Sequence, residues 1–482
     1  MKPPIATEPP HLLDDATVQR YIVDGHLAIR PTLPADYHPA LKAQLDALIE
    51  RDGNPGNDLI ERVPDLARLF ADPAVAGALQ SLLGPGYILH RHCHCHDWAP
   101  GSAGQAWHKD YPIGGHPRCH RSRWALLFYY PQDVSDDMGP TAVQSSSQYY
   151  MDPRSGMPEV ALAVEAGTVV IAHYDIWHRA TANTGDRTRY MLKFLFARRR
   201  DPTVPAWDAR TAAWTPPPGD HRTLWQHMWH WHRGEAKPAP APEDPGIIAT
   251  HIAALDDPDP LARRHAADDL GTIRAPTAVP ALAARLRDED EAVRLNAAYA
   301  LGAQEAVDAL IDALRCEAAE RWQGNLDRGD FTDPGQFDAP YGLAAAGAAA
   351  VPALQQALSD ADGPLRAAAA TALGYIGPAA APAAGALVQA LADDDEWVRR
   401  HAAEALGCIG PTGEAARGLI AALEDRRPVT RWSLSTDPFR ESVASALARM
   451  ESPTAAASTA LRAALADGEY VRAWAACGLQ TA

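Results

Sequence analysis

A short pattern recurs through the second half of the chain and limits what that half can fold into. Each time, an arginine follows an aspartate-rich segment, and an alanine-rich stretch then leads to Leu-Gly. Arg263 and Arg294 lie 31 residues apart, and Arg366 and Arg399 lie 33 residues apart. A repeat of this length is typical of paired helices that bury their apolar faces only against neighbouring pairs. The pattern therefore predicts an all-α solenoid.

Two residue types in the repeat have predicted structural roles. The repeated arginine is expected to pair with an aspartate of the adjacent turn. The glycines at the end of the pattern are expected to adopt the left-handed conformation that ends many helices. These glycines are Gly271, Gly302, Gly374 and Gly407.

A proline- and alanine-rich tract separates this half from the first. Residues 234–246 contain too many prolines for a helix, and we expect them to form a short, stiff spacer. The 482 residues also exceed what a single core usually organises. We therefore expect a first domain over residues 1–233, the linker over 234–246 and the helical domain over 247–482. The tryptophan-rich stretch 224–232 is expected to pack as a helix on the outside of the first domain.

The stretch Trp107-His108-Lys109-Asp110 is the strongest indication of chemistry in the first domain. Side chains two residues apart in a strand point the same way, so His108 and Asp110 present an imidazole and a carboxylate together. A later histidine, His178, would complete a set of two histidines and one carboxylate. Such a set leaves metal coordination positions open, which is typical of non-heme Fe(II) oxygenases and not of closed structural zinc sites.

Arg189 follows His178 by eleven residues and opens an apolar segment that we predict to be a buried strand. A guanidinium group can hold a carboxylate through two parallel hydrogen bonds, so Arg189 is the candidate clamp for a co-substrate. Arg187 would share its face, but it lies beside a polar turn and is interpreted as a solvated charge. His173 and Asp175 repeat the His-x-Asp form and are interpreted as neighbours of the site.

Three strings in the first half resemble the phytanoyl-CoA dioxygenase family of Fe(II)- and 2-oxoglutarate-dependent oxygenases: GQAWHKDYP, DDMGPTAVQSSSQ and HRATANTGDRTRYMLKFLF. The resemblance implies an α+β domain built on a double-stranded β-helix, the jelly-roll or cupin-like barrel. It also implies that His108, Asp110 and His178 hold Fe(II), that Arg189 binds the distal carboxylate of 2-oxoglutarate, and that O2 is the oxidant.

Further residues of this part are candidates for contact with ligands. Gln105 and Thr141 are expected to contact the co-substrate. The run from His90 to His96 places four imidazoles on one face of a predicted strand and two thiols on the other. It is interpreted either as a wall of the substrate pocket or as a polar sheet face. The substrate candidates are His92, His94, Arg121, Arg123, Trp124 and Tyr129.

The resemblance implies hydroxylation of a C–H bond in a small-molecule metabolite, with release of succinate and CO2. Desaturation, epoxidation and cyclisation use the same residues and stay open. The alternative function is a non-catalytic barrel joined to a scaffold for protein–protein interaction.

The second half resembles HEAT-like repeats, which implies a possible protein or carrier partner. From Gly246 onward the chain has 33 Asp and Glu, 20 Arg and no Lys. An acidic surface repels phosphate backbones, so we expect no nucleic-acid partner. Segments 321–341 and 426–439 interrupt the repeat and are interpreted either as loops on a binding face or as surface excursions. No membrane-spanning segment or leader is expected, and the six scattered cysteines favour a cytoplasmic location.

Overall fold

The structure, a computed structural model, forms two compact units, one within residues 8–212 and the other within 213–479. It gives only the backbone for residues 321–326. The described residues are 8–110, 120–217, 221–235, 244–326, 337–411, 413–428, 436–450 and 454–479.

The first unit combines helices with two antiparallel sheets. The helices are α1 (Asp15–Asp24), α2 (Tyr37–Asp52), α3 (Leu59–Arg62), α4 (Leu66–Ala71) and α5 (Pro73–Leu83). The strands are β1 (His26–Ile29), β2 (Ile88–Trp98), β3 (Trp124–Tyr129), β4 (Thr141–Gln144), β5 (Glu159–Ala161), β6 (Val169–His173), β7 (His178–Ala180) and β8 (Arg189–Ala197). The larger sheet has the order β1-β6-β3-β8-β2 and the smaller one the order β5-β4-β7. The α+β prediction is confirmed; the closure of the two sheets into a barrel stays a prediction.

The five-stranded sheet has one face buried beneath the helices. On β8, the core side chains are Tyr190, Leu192, Phe194 and Phe196. Because side chains alternate along a strand, Arg189 and Lys193 lie on the opposite face. The same alternation on β2 places Cys93 and Cys95 in the core and the histidines on the side of Arg189. We call this second side the site face of the sheet.

The second unit is a succession of helices. They are α6 (Arg222–Arg233), α7 (Pro245–Ala254), α8 (Pro260–Ile273), α9 (Val279–Arg285), α10 (Glu291–Ala303), α11 (Val307–Leu326), α12 (Ala339–Ala346), α13 (Val351–Ala357), α14 (Gly363–Ile376), α15 (Ala384–Ala390), α16 (Glu396–Ile409), α17 (Gly413–Ala422), α18 (Pro438–Ala448), α19 (Ala455–Ala464) and α20 (Glu469–Leu479). The even-numbered helices from α8 to α20 pack in sequence against one another, as the repeat predicts.

The repeated arginine links each repeat to the next. Arg263 lies 2.8 Å from Asp288, in the turn that precedes the following even-numbered helix. Its Nη1 also donates to the carbonyl oxygen of Asp257 at 2.9 Å. Arg366 pairs with Asp393 in the same way at 2.8 Å. The expected pairing of this arginine with aspartates of the turns is confirmed.

The glycines of the repeat do not end helices as the sequence suggested. Gly302 and its equivalents lie inside the last turns of α8, α10, α14 and α16, and none of them has a positive φ. A Cβ at Gly302 would lie 2.2 Å from the carbonyl oxygen of Gly342, on the neighbouring helix. The missing side chain therefore serves close helix packing, and the left-handed assignment was wrong.

The tryptophan-rich helix α6 belongs to the second unit and packs against α8 and α10. At its start, His221 Nδ1 lies 2.6 Å from Asn296 Oδ1, and the backbone N–H of Thr223 donates to the buried Asp268 carboxylate at 2.8 Å. The expected position of this helix on the first domain is corrected accordingly. Its buried tryptophans cover the first repeat instead.

Two other expectations concern segments of the second unit. Residues 327–336 and 429–435, about half of each interruption of the repeat, lie outside the described residues. Within the described residues, one stretch, 363–390, is long and apolar enough to cross a membrane by length and composition. It comprises α14 and α15 of the repeats, and 56% of its apolar window is buried.

We expect Gly302→Ala to lower the free energy of unfolding by about 1–3 kcal/mol, because the new methyl group collides with backbone. Gly385→Ala is the matched control: nothing lies within 4 Å of a Cβ at Gly385, in α15. Alanine is the better helix former, so this variant should be neutral or up to about 1 kcal/mol more stable. Urea unfolding followed by circular dichroism measures both. Equal effects of the two substitutions would contradict the packing role.

Candidate metal centre

A two-way backbone contact brings the two predicted histidine ligands together. The N–H of His108 donates to the carbonyl oxygen of His178 at 3.0 Å, and the reverse bond is also 3.0 Å. This antiparallel bridge holds the imidazole centroids 4.6 Å apart. His178 is itself fixed as the first residue of β7, which pairs with β4. The two candidate histidine ligands are thus held in place by the backbone of the smaller sheet.

Asp110 completes the cluster. Its Oδ2 lies 3.7 Å from Nε2 of His178. In the part of the chain that the structure describes, these three residues form the one group of His, Cys, Asp or Glu whose ligand atoms all lie within 4.8 Å of one another. The structure therefore brings together the His108, Asp110 and His178 set that the sequence predicted.

Backbone carbonyls set the orientation of both imidazoles. Nδ1 of His108 lies 3.0 Å from the carbonyl oxygen of Ala106, and Nδ1 of His178 lies 3.1 Å from that of Ile176. A carbonyl oxygen only accepts, so each Nδ1 carries the hydrogen and each Nε2 keeps a lone pair. Burial lowers the pKa of His178 and outweighs the opposing effect of Asp110, which favours the neutral ligand form.

Lys193 is a residue of this site that the sequence interpretation missed. Its Nζ donates to Asp110 Oδ2 at 2.9 Å from a largely buried position on β8. Burial by itself would raise the pKa of Asp110, but the charge of Lys193 and the nearby histidines hold it below its ordinary value. The signal was present in the sequence, because Lys193 follows Arg189 by four residues and so shares its strand face.

Arg189 lies on the same face with unused hydrogen-bonding capacity. Its Nε donates to the carbonyl oxygen of Gly139 at 3.1 Å, whereas its Nη1 is buried without a hydrogen-bond partner. Buried donors are nearly always paired, so this one indicates a site for an acceptor. Arg187, the other candidate, is exposed to solvent.

The hydroxyl groups of Tyr130 and Thr141 belong to the same buried polar group as Arg189. Burial raises the pKa of Tyr130, and the Arg189 charge and the Thr141 hydroxyl oppose that rise. Both hydroxyl-bearing side chains are buried. We call Arg189, Tyr130 and Thr141, three buried polar side chains, the arginine recess. It fits a carboxylate, because all three side chains can donate hydrogen bonds.

Comparison with known proteins agrees with this geometry. Residues 22–191 match the family model for phytanoyl-CoA dioxygenase (PhyH), and residues 248–322 and 351–436 match the model for HEAT repeats. The first unit therefore contains a region that matches the phytanoyl-CoA dioxygenase family. No curated protein matches the sequence.

Several solved structures are similar to the phytanoyl-CoA dioxygenase part. The non-heme α-ketoglutarate-dependent carbocyclase SnoK from nogalamycin biosynthesis is 19% identical, with 40% of this chain and 88% of that chain covered and a TM-score of 0.34. HygX from Streptomyces hygroscopicus, solved with nickel and 2-oxoglutarate bound, is 17% identical over 42% of this chain and 93% of that chain, with a TM-score of 0.32. The non-heme monooxygenase ThoJ, as its nickel complex, is 17% identical over 42% and 89%, also with a TM-score of 0.32.

The histidines of β2 lie on the site face of the first unit. Burial, with a smaller effect of the Lys193 charge, lowers the pKa of His92 to about 4, and it lowers the pKa of His94 and His96 as well. These imidazoles are therefore neutral near pH 7. Trp124 shares this face, with its ring 5.8 Å from that of His90.

Three other candidates have structural partners. Tyr129 lies in the core beneath the helices, and its hydroxyl lies 2.8 Å from Nδ1 of His38, so it does not face the metal cluster. The neighbouring Tyr130 lies on the site face instead, because successive side chains of an extended segment point to opposite sides. Arg123 forms two hydrogen bonds with the buried Asp201, at 3.0 and 2.8 Å, and Arg121 lies 3.5 Å from the same carboxylate.

Gln105 supports the ligand strand. Its backbone N–H donates to the carbonyl oxygen of Ala180 at 2.8 Å, and its side-chain oxygen accepts from the N–H of Ala180 at 2.9 Å. His173 and Asp175, the second His-x-Asp pair, contact each other at 3.7 Å and are not part of the three-residue cluster.

The division of β2 into a core face and a site face predicts unreactive thiols. Burial raises the pKa of Cys93 to about 11 and that of Cys95 to about 12. Since the thiolate is the reactive form, iodoacetamide at pH 8 should modify both at least tenfold more slowly than the half-buried Cys316. Peptide-resolved mass spectrometry measures the rates, with urea-unfolded protein as the control. Rapid modification of Cys93 in the folded protein would contradict this orientation of β2.

Proposed function

We propose that the first unit is an Fe(II)- and 2-oxoglutarate-dependent dioxygenase that hydroxylates a C–H bond of a small-molecule metabolite and releases succinate and CO2. The observation that carries the proposal is the cluster of His108, Asp110 and His178, with ligand atoms within 4.8 Å of one another. Two neutral imidazoles and one carboxylate are the donor set of non-heme Fe(II) oxygenases. A structural zinc site would use four protein ligands.

The residues present fit the metal and the co-substrate. The Nε2 lone pairs of His108 and His178 and a carboxylate oxygen of Asp110 would hold the metal. Bound there, Fe(II) would couple the oxidative decarboxylation of 2-oxoglutarate by O2 to oxidation of the substrate. HygX, one of the solved structures that match this chain, was solved with nickel and 2-oxoglutarate bound.

The arginine recess would orient the co-substrate. Arg189 brings a positive charge and an unpaired Nη1 donor, and Thr141 adds a hydroxyl group. A buried guanidinium that meets a carboxylate forms strong, directional hydrogen bonds. We assign Gln105 a supporting role, because its side chain positions the strand that contains His178.

The other side chains of the site face would shape the substrate pocket. Phe128, with its ring 5.8 Å from that of His178, supplies an apolar surface that excludes water next to the cluster. His92, His94 and Trp124 are the proposed substrate contacts. Arg121, Arg123 and Tyr129 are not proposed as substrate contacts, because other residues of the structure are their partners.

The remaining proposals concern cellular context. Cys93, Cys95, Cys316, Cys408 and Cys477 are free thiols, which supports a reducing compartment such as the cytoplasm. The HEAT repeats would bind a protein or carrier partner, in keeping with the stacked-helix surfaces of such repeats.

Release of succinate tests the proposed function directly. The full-length protein is supplied with Fe(II), ascorbate and 2-oxoglutarate, and succinate is measured by mass spectrometry with and without a library of metabolites. We expect a slow basal release that one class of metabolite stimulates. A folded, metal-loaded protein that neither binds 2-oxoglutarate nor releases succinate would favour the scaffold function instead.

We expect Asp110→Ala and Asp110→Asn to abolish oxidation and to weaken Ni²⁺ binding at least a hundredfold, because each removes the anionic ligand. Isothermal titration calorimetry measures the metal affinity. Asp97→Ala is the matched control, since Asp97 lies on the opposite face of β2 and contacts Asn54 at 2.9 Å. Unchanged Ni²⁺ affinity in both Asp110 variants would eliminate this residue as a ligand.

The two arginines should differ sharply. Arg189→Ala is expected to weaken 2-oxoglutarate binding to the Ni²⁺-loaded protein more than a hundredfold, since a buried charge-assisted contact is worth about 3 kcal/mol. Arg187→Ala, at an exposed position, should change it by less than about threefold. Calorimetric titration of 2-oxoglutarate checks both, and the reverse ranking would refute the assignment of the recess.

A further inference from the structure

Lys193 is hydrogen-bonded to a carboxylate oxygen of Asp110 that a metal ion would need as a ligand. Its Nζ lies 2.9 Å from Oδ2 of Asp110, the same oxygen that lies 3.7 Å from Nε2 of His178. The lysine is buried, with 10% of its side chain exposed. The ammonium group thus lies beside Asp110, as the positive charge of a bound metal would. A dication that binds Asp110 would replace Lys193 as its main partner.

The charges of the groups around the cluster do not sum to zero once a dication binds Asp110. Asp110 contributes one negative charge, and Arg189 and Lys193 contribute one positive charge each. A dication adds two positive charges, and 2-oxoglutarate, whose presence rests on the proposed function, brings two negative ones. One positive charge remains. It resides on Lys193, because the two carboxylates of 2-oxoglutarate are engaged by the metal and by Arg189. A buried charge without a partner is strongly unfavourable.

The neighbouring strand offers hydrogen bonds but no charge. Lys193 pairs in register with His94 on β2, and His92 and His96 flank that position on the same face. Nδ1 of His92 and Nε2 of His96 are buried without hydrogen-bond partners. The neutral imidazoles can therefore donate to or accept from a ligand, but they cannot neutralise an ammonium group.

The arginine recess does not provide an anionic partner for Lys193. Lys193 lies four positions after Arg189 on β8, which corresponds to about 13 Å along a strand. The carboxylate bound by Arg189 therefore lies too far from Lys193 to pair with it. The carboxylate on the metal is already counted in the charge balance, so the group that neutralises the remaining charge is an anion of another molecule.

We propose that Lys193, together with His92 and His96, is the anchor for an anionic group of the primary substrate, a carboxylate or a phosphate. The anchor becomes available when a metal ion binds Asp110. The substrate is accordingly a small anionic metabolite, and its anion lies beside the metal cluster on the side of β2. By thermodynamic reciprocity, anion binding and metal binding reinforce each other.

The test is calorimetric and needs no turnover. Inorganic phosphate and acetate are titrated separately into the full-length protein, either metal-free or loaded with Ni²⁺ and 2-oxoglutarate. We expect at least one probe to bind the loaded protein at least tenfold more tightly than the metal-free protein. Lys193→Met should weaken that binding at least tenfold and leave the affinity for 2-oxoglutarate unchanged. Lys193→Gln serves as a second variant in case the first one folds poorly.

The matched control is Lys42→Met, which removes a lysine that pairs with Asp46 on α2. It should bind the probe like the wild-type protein. Three results would overturn the proposal: neither probe binds the loaded wild-type protein, a probe binds the Lys193 variants as tightly as the wild type, or the variants lose affinity for 2-oxoglutarate. The second result would mean that the probe binds the metal, and the third that the co-substrate uses Lys193. Failure of the wild-type protein to bind Ni²⁺ or 2-oxoglutarate is a separate outcome, which would refute the proposed function as well.

Discussion

The functional organisation of the first unit depends on one backbone contact, the pair of hydrogen bonds between His108 and His178. These residues are 70 positions apart in the sequence, and each reaches the cluster through a different segment. The bridge aligns their backbones, and carbonyl oxygens of Ala106 and Ile176 then turn the rings so that both Nε2 atoms are available. The geometry of the two candidate ligands is thus supported by hydrogen bonds to main-chain groups.

In the larger sheet, strand alternation places the apolar core side chains on one face and the polar side chains of the candidate site on the other. Its core face carries aromatic and aliphatic side chains beneath the helices, and its site face carries Arg189, Lys193 and the histidines of β2. A shift of one residue in β8 would exchange the two sets. The large apolar side chains such as Phe194 and Phe196 therefore also fix the direction of the charged groups. Stability of the core and orientation of the site are consequences of the same register.

Much of both units could be predicted from local patterns. The recurring pattern of the second half predicted paired helices, and the periodic arginines of the solenoid pair with aspartates as expected. The spacing of His108, Asp110, His178 and Arg189 was sufficient to anticipate a cluster of potential metal ligands and a buried guanidinium. Failures occurred where a residue's partner is distant in sequence: Tyr129 bonds to His38, Arg123 to Asp201, and Gly302 packs against Gly342.

The sequence by itself determined the kinds of groups available and the period at which they recur, because these depend only on residue type and spacing. It specified an imidazole–carboxylate set, a nearby arginine and a chain of helical pairs. The tertiary structure alone decided that Lys193 meets Asp110, that the tryptophan-rich helix belongs to the second unit, and that the repeat glycines lie at helix crossings. Each of these is a contact between separate segments, and the energy of such contacts depends on how the whole chain packs.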